Sequence, residues 1–316
     1  MTASRAVDIS HVAHRYGRRT ALADLTLSID EGEIFAFLGP NGGGKTTLFR
    51  LLSTLIPLES GEVRILGYDV RRQPATIRSL IGVVFQAPSL DKKLTVAENM
   101  RHQGHLYGLR GRELAQRQRI MLDRLGLSDR AGERAETLSG GLRRRVELAK
   151  GMIHRPRLLL LDEPSTGLDP GARSDLWSYL RQVRDEDGVT VVLTTHLLEE
   201  ADRADRIAIL NEGRLVALDT PDALRATVGG DSITIQTDDP QKLASAVRDR
   251  FEIDAVVLDG SVRLEQPDGH QWIARLVEAF PGQIESLTLG KPTLEDVFID
   301  RTGHRFWQRP AEGSVG

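Results

Sequence analysis

Apolar and polar residues alternate through the first 30 positions, so that Leu25, Leu27 and Ile29 share one face of an extended segment. A period of two predicts strands across residues 5–30. The pattern then changes. The runs Ile34–Leu38, Ile81–Phe85, Leu158–Leu161 and Val189–Leu193 are almost wholly apolar, as strands of a parallel sheet buried on both faces are. Further strands are expected at Val63–Leu66, Arg157–Asp162, Arg206–Leu210 and Arg214–Leu218. Helical spacing appears at Leu48, Leu51, Leu52 and Leu55, directly after a glycine-rich stretch. Between about residues 90 and 155, Arg-rich helical segments dominate (Thr95–Tyr107, Arg112–Gly126, Gly140–His154), separated by glycines. They read as a helical subdomain inserted into an α/β core that spans residues 1–228.

Gly229-Gly230-Asp231-Ser232 reads as a linker. Beyond it the patterns predict a strand Ile233–Thr237, a helix Gln241–Phe251, strands near Asp254–Leu258 and Ser261–Glu265, a helix His270–Phe280, a strand Gln283–Leu289 and a helix from Thr293. The order β-α-β-β-α-β is that of a ferredoxin-like unit, expected over residues 229–316. The last residues, from about Gln308, are expected to fray.

Composition narrows the chemistry. The formal net charge is −3, from 42 basic and 45 acidic side chains, so no basic excess points to a nucleic-acid partner. With no cysteine in the chain, disulfides, thiolate metal sites and cysteine nucleophiles are excluded. The opening MTASRAVDIS lacks the apolar run of a signal peptide. No apolar run approaches the about 18 residues needed to cross a bilayer, so a membrane role is expected to come through a partner. The Arg-rich stretch 101–124 reads as a solvated helical face, and His102 and His105 stand too close and too unsupported for a metal site. Trp177 and Trp272 read as packing anchors.

Two motifs carry chemistry. Gly39-Pro40-Asn41-Gly42-Gly43-Gly44-Lys45-Thr46 matches GxxxxGK[ST], and it follows a predicted strand and opens a predicted helix. Glycines let the backbone curl so that several N–H groups point inward, and the helix N-terminus adds partial positive charge. Lys45 is expected to reach the β- and γ-phosphates of a nucleotide, Thr46 to ligate Mg²⁺, and Thr47 to lie near the α-phosphate. The second motif is Leu158–Leu161 followed by Asp162 and Glu163. A buried strand delivers these carboxylates to the sheet edge where ligands bind in open α/β folds. There Asp162 can hold Mg²⁺ and Glu163 can polarise an attacking water.

With Leu138-Ser139-Gly140-Gly141-Leu142 in place before these carboxylates, the chain resembles the ABC ATPase family, whose signature is LSGGQ. The resemblance covers about residues 5–228. It implies a P-loop NTPase fold: a RecA-like core with antiparallel β and helical subdomains. It implies that Ser139, Gly140 and Gly141 face the γ-phosphate held by a second copy, in a homodimer that sandwiches two ATP molecules with Mg²⁺. Tyr16 looks like the aromatic that stacks on adenine, and Gln86 like the residue that senses Mg²⁺ and the attacking water. Ser165-Thr166-Gly167-Leu168-Asp169 looks like the loop that crosses the dimer interface, and His196 like the switch residue that contacts the γ-phosphate. Leu142 stands where the signature has Gln, and Gly43 where Ala is more common; neither change removes a phosphate donor.

Pro292-Thr293-Leu294-Glu295-Asp296-Val297-Phe298-Ile299 resembles the tail of daunorubicin-exporter ATPases, which serve ABC-2-type exporters with separate six-helix membrane subunits. The same segment also reads as a capped helix, with Thr293 and Asp296 near a capping box. The expected function is therefore an ATP-hydrolysing subunit at the cytoplasmic face of the membrane, energising export of a drug, antibiotic, lipid or polysaccharide through a separate permease. The alternatives are a non-transport ABC ATPase and a regulatory nucleotide-binding module without turnover.

Overall fold

The alternation near the N-terminus forms strand β1 (Arg5–Tyr16) paired antiparallel with β2 (Arg19–Asp30), and Leu25, Leu27 and Ile29 are all buried. The chain's computed structural model describes residues 4–304 and Phe306. The molecule divides into two units, one ending at Leu215 and the other beginning at Val216.

In the first unit β2 leads to β3 (Ile34–Leu38), α1 (Lys45–Leu52), β4 (Ser60–Ile65), β5 (Tyr68–Asp69), α2 (Pro74–Leu80) and β6 (Ile81–Val84). The helical insertion follows as α3 (Val96–Leu106), α4 (Gly111–Arg124) and α5 (Gly140–Met152). The core resumes with β7 (Leu158–Asp162), α6 (Pro170–Asp187), β8 (Thr190–Thr195), α7 (Leu198–Ala201) and β9 (Arg206–Asn211). One sheet has the order β2-β1-β4-β5. The strands of the other that lie wholly within this unit run β9-β3-β8-β7-β6, and each neighbouring pair among them is parallel. Every residue of β3, β7 and β8 is buried, which is why their sequences are nearly unbroken apolar runs. Parallel register brings Leu38 beside Thr195 and Asp162 beside Thr194. The segments that leave β3, β7 and β8 therefore emerge at one sheet edge, where the site lies.

Side-chain chemistry sets the helix ends. Thr95 and Glu98 form a reciprocal capping box at the start of α3, and Trp177 of α6 is fully buried. Just beyond α5, His154 stacks on Tyr107 with ring centroids 3.6 Å apart. Its Nε2–H donates to the Ile81 carbonyl at 2.9 Å, leaving Nδ1 buried without a hydrogen-bond partner. Burial pushes the imidazole pKa down to about 4; the Ile81 carbonyl opposes this and Arg117 adds to it. An unfolded chain takes up this proton near pH 6.5, whereas folded His154 resists it until about pH 4. Stability should therefore decline as pH falls from about 6.5 to about 4, by up to roughly 3 kcal/mol from this group. Urea unfolding at stepped pH checks this: His154→Gln is expected to lose that share of the decline, and an unchanged pH profile would rule the group out.

The division between the units falls inside β10 (Arg214–Asp219). The second unit continues with α8 (Pro221–Ala226), β11 (Asp231–Gln236), α9 (Pro240–Phe251), β12 (Ala255–Leu258), β13 (Ser261–Gln266), α10 (Gly269–Ala279), β14 (Ser286–Gly290) and α11 (Leu294–Thr302). The expected β-α-β-β-α-β order is present from β11 to β14, in a sheet ordered β12-β13-β11-β14 with every pair antiparallel. The expected linker is shorter than the sequence suggests. Asp231 and Ser232 belong to β11, because Asp231 pairs with Gln266 and Ser232 with Glu265 and Gly290 in the sheet, and the Asp231 carboxylate accepts from the Gly269 N–H (3.1 Å) and the Lys291 ammonium (2.6 Å). Trp272 packs against a core that includes Ile233, Val247, Leu264 and Leu276. Thr293 and Asp296 complete a capping box at α11, whose Leu294, Val297 and Phe298 are buried. The fraying expected from Gln308 lies outside the described residues.

Candidate functional site

The glycine-rich loop leaves β3 as a tight backbone curl. A Cβ on Gly39 would lie 2.3 Å from the Leu210 carbonyl oxygen, so no side chain fits there. Gly44 has φ 103° and a Cβ there would come within 2.8 Å of the Ala21 carbonyl oxygen. Both positions need glycine for sterics and the second also for its left-handed backbone. The Gly43 N–H turns back onto the Pro40 carbonyl at 3.1 Å. Gly44 gives α1 no side-chain cap, so the first N–H groups of the helix are available to an anion. Lys45 is buried, and its ammonium donates to the carbonyls of Gly39 (2.7 Å) and Pro40 (3.0 Å). Burial lowers its pKa, while the charges of Glu163 and Asp162 oppose that shift. A cleft of about 150 Å³ opens here, lined by Tyr16, Arg19, Asn41, Lys45, Thr46 and Glu163 among others. Tyr16, at the end of β1, is 45% exposed and sits edge-on to His14, with centroids 4.8 Å apart.

The carboxylates stand at the end of β7. Asp162 is buried, and the Thr194 hydroxyl donates to its Oδ1 at 2.5 Å. Burial raises the pKa of this carboxyl, partly offset by Thr194 and by the charge of Lys45. Glu163 has φ 43°, a left-handed conformation that costs a non-glycine residue about 1–3 kcal/mol and that the surroundings must enforce. They do so through its N–H, which is shared by the Thr194 carbonyl (3.1 Å) and the Thr194 hydroxyl (3.0 Å). Its carboxylate oxygen Oε2 accepts from Gln86 Nε2 at 3.0 Å and from the Thr166 hydroxyl at 3.2 Å. His196 Nδ1 lies 3.2 Å from the same oxygen. The turn carrying His196 is fixed by Thr195, whose hydroxyl accepts from the Leu197 N–H (3.0 Å) and donates to buried Glu200 (2.7 Å). Gln86, Glu163 and His196, which come from three separate strand ends, thus meet at one atom.

The signature residues lie elsewhere on this unit. Ser139 is the N-cap of α5, accepting from the Leu142 N–H at 3.3 Å, and Ser139 and Gly140 are exposed. Asp169 caps α6 by accepting from the Ala172 N–H at 2.8 Å. Among the described residues, neither Ser139, Gly140 and Gly141 nor Asp169 lines the Lys45 cleft. Within one chain, then, the structure joins Tyr16, the Gly39–Thr47 loop, Gln86, Asp162, Glu163 and His196, and leaves the signature surface facing outward.

Sequence reasoning assigned no role to Thr194 and left Thr166 inside a loop motif. Thr194 matters because the register of β7 and β8 places it beside Asp162, and register is a property of the sheet rather than of either strand's composition. The donor set fits an MgATP site. Among the described residues, no three His, Cys, Asp or Glu side chains gather to hold a metal by themselves. A hard cation here would draw on Thr46, Gln86 and Asp162 and take its remaining oxygens from phosphates and water, as Mg²⁺ commonly does.

A model of the ABC transporter family matches residues 22–166. The daunorubicin resistance ATP-binding protein DrrA2 of Streptomyces coeruleorubidus is 38% identical, over 95% of this chain and 96% of its own length. The linearmycin resistance ATP-binding protein LnrL of Bacillus subtilis (strain 168) is 33% identical, over 93% of this chain and 97% of its own. Among solved structures, the dimeric post-hydrolysis state of the ATP-binding cassette MJ0796, bound to ADP and Pi, aligns with a TM-score of 0.62 at 29% identity, covering 68% of this chain and 98% of that one.

Proposed function

We propose, on the premise that this chain belongs to the ATP-binding subunits of ABC transporters of the daunorubicin-resistance type, that its Glu163 cluster is one half of an ATP site completed by a second copy. ATP hydrolysis coupled to transport is the activity of this family, and the chain is the ATPase subunit of an exporter. The observation that carries the site assignment is the convergence of Gln86, Thr166 and His196 on Glu163 Oε2, beside buried Lys45 and Asp162.

In this reading Tyr16 stacks on adenine, while the Lys45 ammonium and the uncapped N–H groups at the start of α1 receive the phosphates. Thr46, Gln86 and Asp162 hold Mg²⁺, which when bound neutralises phosphate charge. Gln86 and Thr166 donate to Oε2 of Glu163 and His196 lies beside it, so its other oxygen is the one presented to water, and Glu163 takes up the water's proton as attack begins. Lys45 and His196 stabilise charge developing on the γ-phosphoryl group. Ser139, Gly140 and Gly141, at the tip of α5, face the γ-phosphate held by the partner copy, and Asp169 lies at that interface. The dimeric cassette bound to ADP and Pi supports this reading.

Among the described residues no helix is long and apolar enough to cross a membrane. The chain works at the cytoplasmic membrane face with a separate ABC-2-type permease, to which Gln86 and the helical subdomain carry movement. The cargo is a drug, antibiotic, lipid or polysaccharide, and no nucleic acid is engaged. The second unit, from its element order, is a ferredoxin-like accessory domain.

Ser139 tests the shared site. A hydrogen bond to a charged group contributes about 1.5–3 kcal/mol, so Ser139→Ala should weaken MgATP-dependent dimerisation by about tenfold or more while nucleotide affinity of the monomer stays within about twofold. Ser139→Gly gives the same readout with helix capping almost intact. Equal losses in both measurements would remove the cross-copy assignment.

A further inference from the structure

Helix α5 does more than present Ser139. On one of its faces Arg144, Glu147 and Lys150 grip the loop that carries Gln86. Arg144 and Glu147 are 8% and 6% exposed and pair at 2.8 Å. The Arg144 guanidinium donates to the carbonyl of Phe85, the residue before Gln86, at 2.7 Å. It also donates to the carbonyls of Pro164 (2.7 Å) and Asp162 (3.4 Å), the residues on either side of Glu163. Glu147 accepts from the Ser89 N–H and Lys150 donates to the Ser89 carbonyl, both at 2.8 Å. One planar cation thus spans the two backbone segments whose side chains meet at 3.0 Å as Gln86 and Glu163. A guanidinium can make these forked contacts with fixed geometry, whereas an ammonium on a flexible stem cannot.

We infer that Arg144 is a positioning residue for hydrolysis: from the signature helix, held by Glu147, it sets Gln86 against Glu163. The inference rests on the reading of Glu163 as the base. It assigns Arg144 no contact with nucleotide, so its loss should lower turnover and leave nucleotide binding alone.

Three variants of the full chain test it by kcat, KM and MgATP affinity, with thermal midpoints checked. Arg144→Lys keeps a cation opposite Glu147 but loses the fork; kcat should fall about tenfold or more while KM and ATP affinity stay within about threefold. Arg144→Met/Glu147→Met removes both charges together, so that neither is left buried and unpaired, and should be as slow. In a Gln86→Ala background, Arg144→Lys should add less than about threefold, because the pair it aligns is already gone. A folded variant turning over within twofold of the native protein would overturn the inference. So would a parallel loss of ATP affinity, or a full tenfold effect without Gln86. The underlying site reading fails separately: it falls if the native protein does not hydrolyse ATP or if Glu163→Gln hydrolyses it normally. If both controls behave and Arg144→Lys matches the native rate, only this inference is lost.

Discussion

Glu163→Gln is expected to lower ATP turnover by about 10²–10⁴-fold, the scale of a lost general base, with MgATP binding undiminished. The side chain is isosteric, so Gln86, Thr166 and His196 still have an oxygen to meet where Oε2 now stands. What disappears is the basic oxygen that would take water's proton, a barrier increase of roughly 2.7–5.5 kcal/mol. The lost negative charge also lies beside the cleft that would hold the phosphates, so removing it relieves repulsion and should hold or raise nucleotide affinity. Single-turnover hydrolysis and equilibrium nucleotide binding on the same preparation separate the two effects. Near-native turnover would refute the base assignment.

The second large effect is expected at Lys45. Its ammonium is buried and bonded only to loop carbonyls of Gly39 and Pro40 among the described residues, and burial depresses its pKa. The ligand-free chain thus holds a desolvated cation that contributes little to its stability. Lys45→Met removes a buried cation with its desolvation cost but also the charge that offsets burial of Asp162 and the donor to two carbonyls, so folding stability should fall by no more than about 1–3 kcal/mol. Nucleotide affinity should nonetheless drop about 10- to 100-fold, the loss of a charge-assisted bond to phosphate, and hydrolysis should become undetectable. Urea unfolding paired with nucleotide titration checks both halves. A strongly destabilised variant would mean that Lys45 is structural, and native affinity would exclude the phosphate role.

How much of this was legible in the sequence depended on whether the chemistry was contiguous. The loop Gly39–Thr46 and the pair Asp162-Glu163 announce themselves because each motif is a short run whose strand context also shows as apolar residues. Gln86 and His196 were placed by their order along the chain, and parallel register then brings them to Glu163 Oε2. Thr194 could not be found that way, since its meaning depends on which strand lies beside β8. Arg143-Arg144-Arg145 reads as one basic run, yet helical phase buries Arg144 and leaves its neighbours partly exposed. A polar start to β11 likewise hid a strand: Asp231 is held by Gly269 and Lys291, some 38 and 60 positions away.

The central claim is that two copies finish each other's nucleotide pockets. Sedimentation of the Glu163→Gln protein with saturating MgATP tests it most directly, because that variant binds nucleotide without consuming it. Dimers that form with MgATP and dissolve when the nucleotide is removed, and that associate about tenfold or more weakly once Ser139→Ala is added, are the predicted result. A protein that stays monomeric at saturation, even with its membrane subunit present, would contradict it.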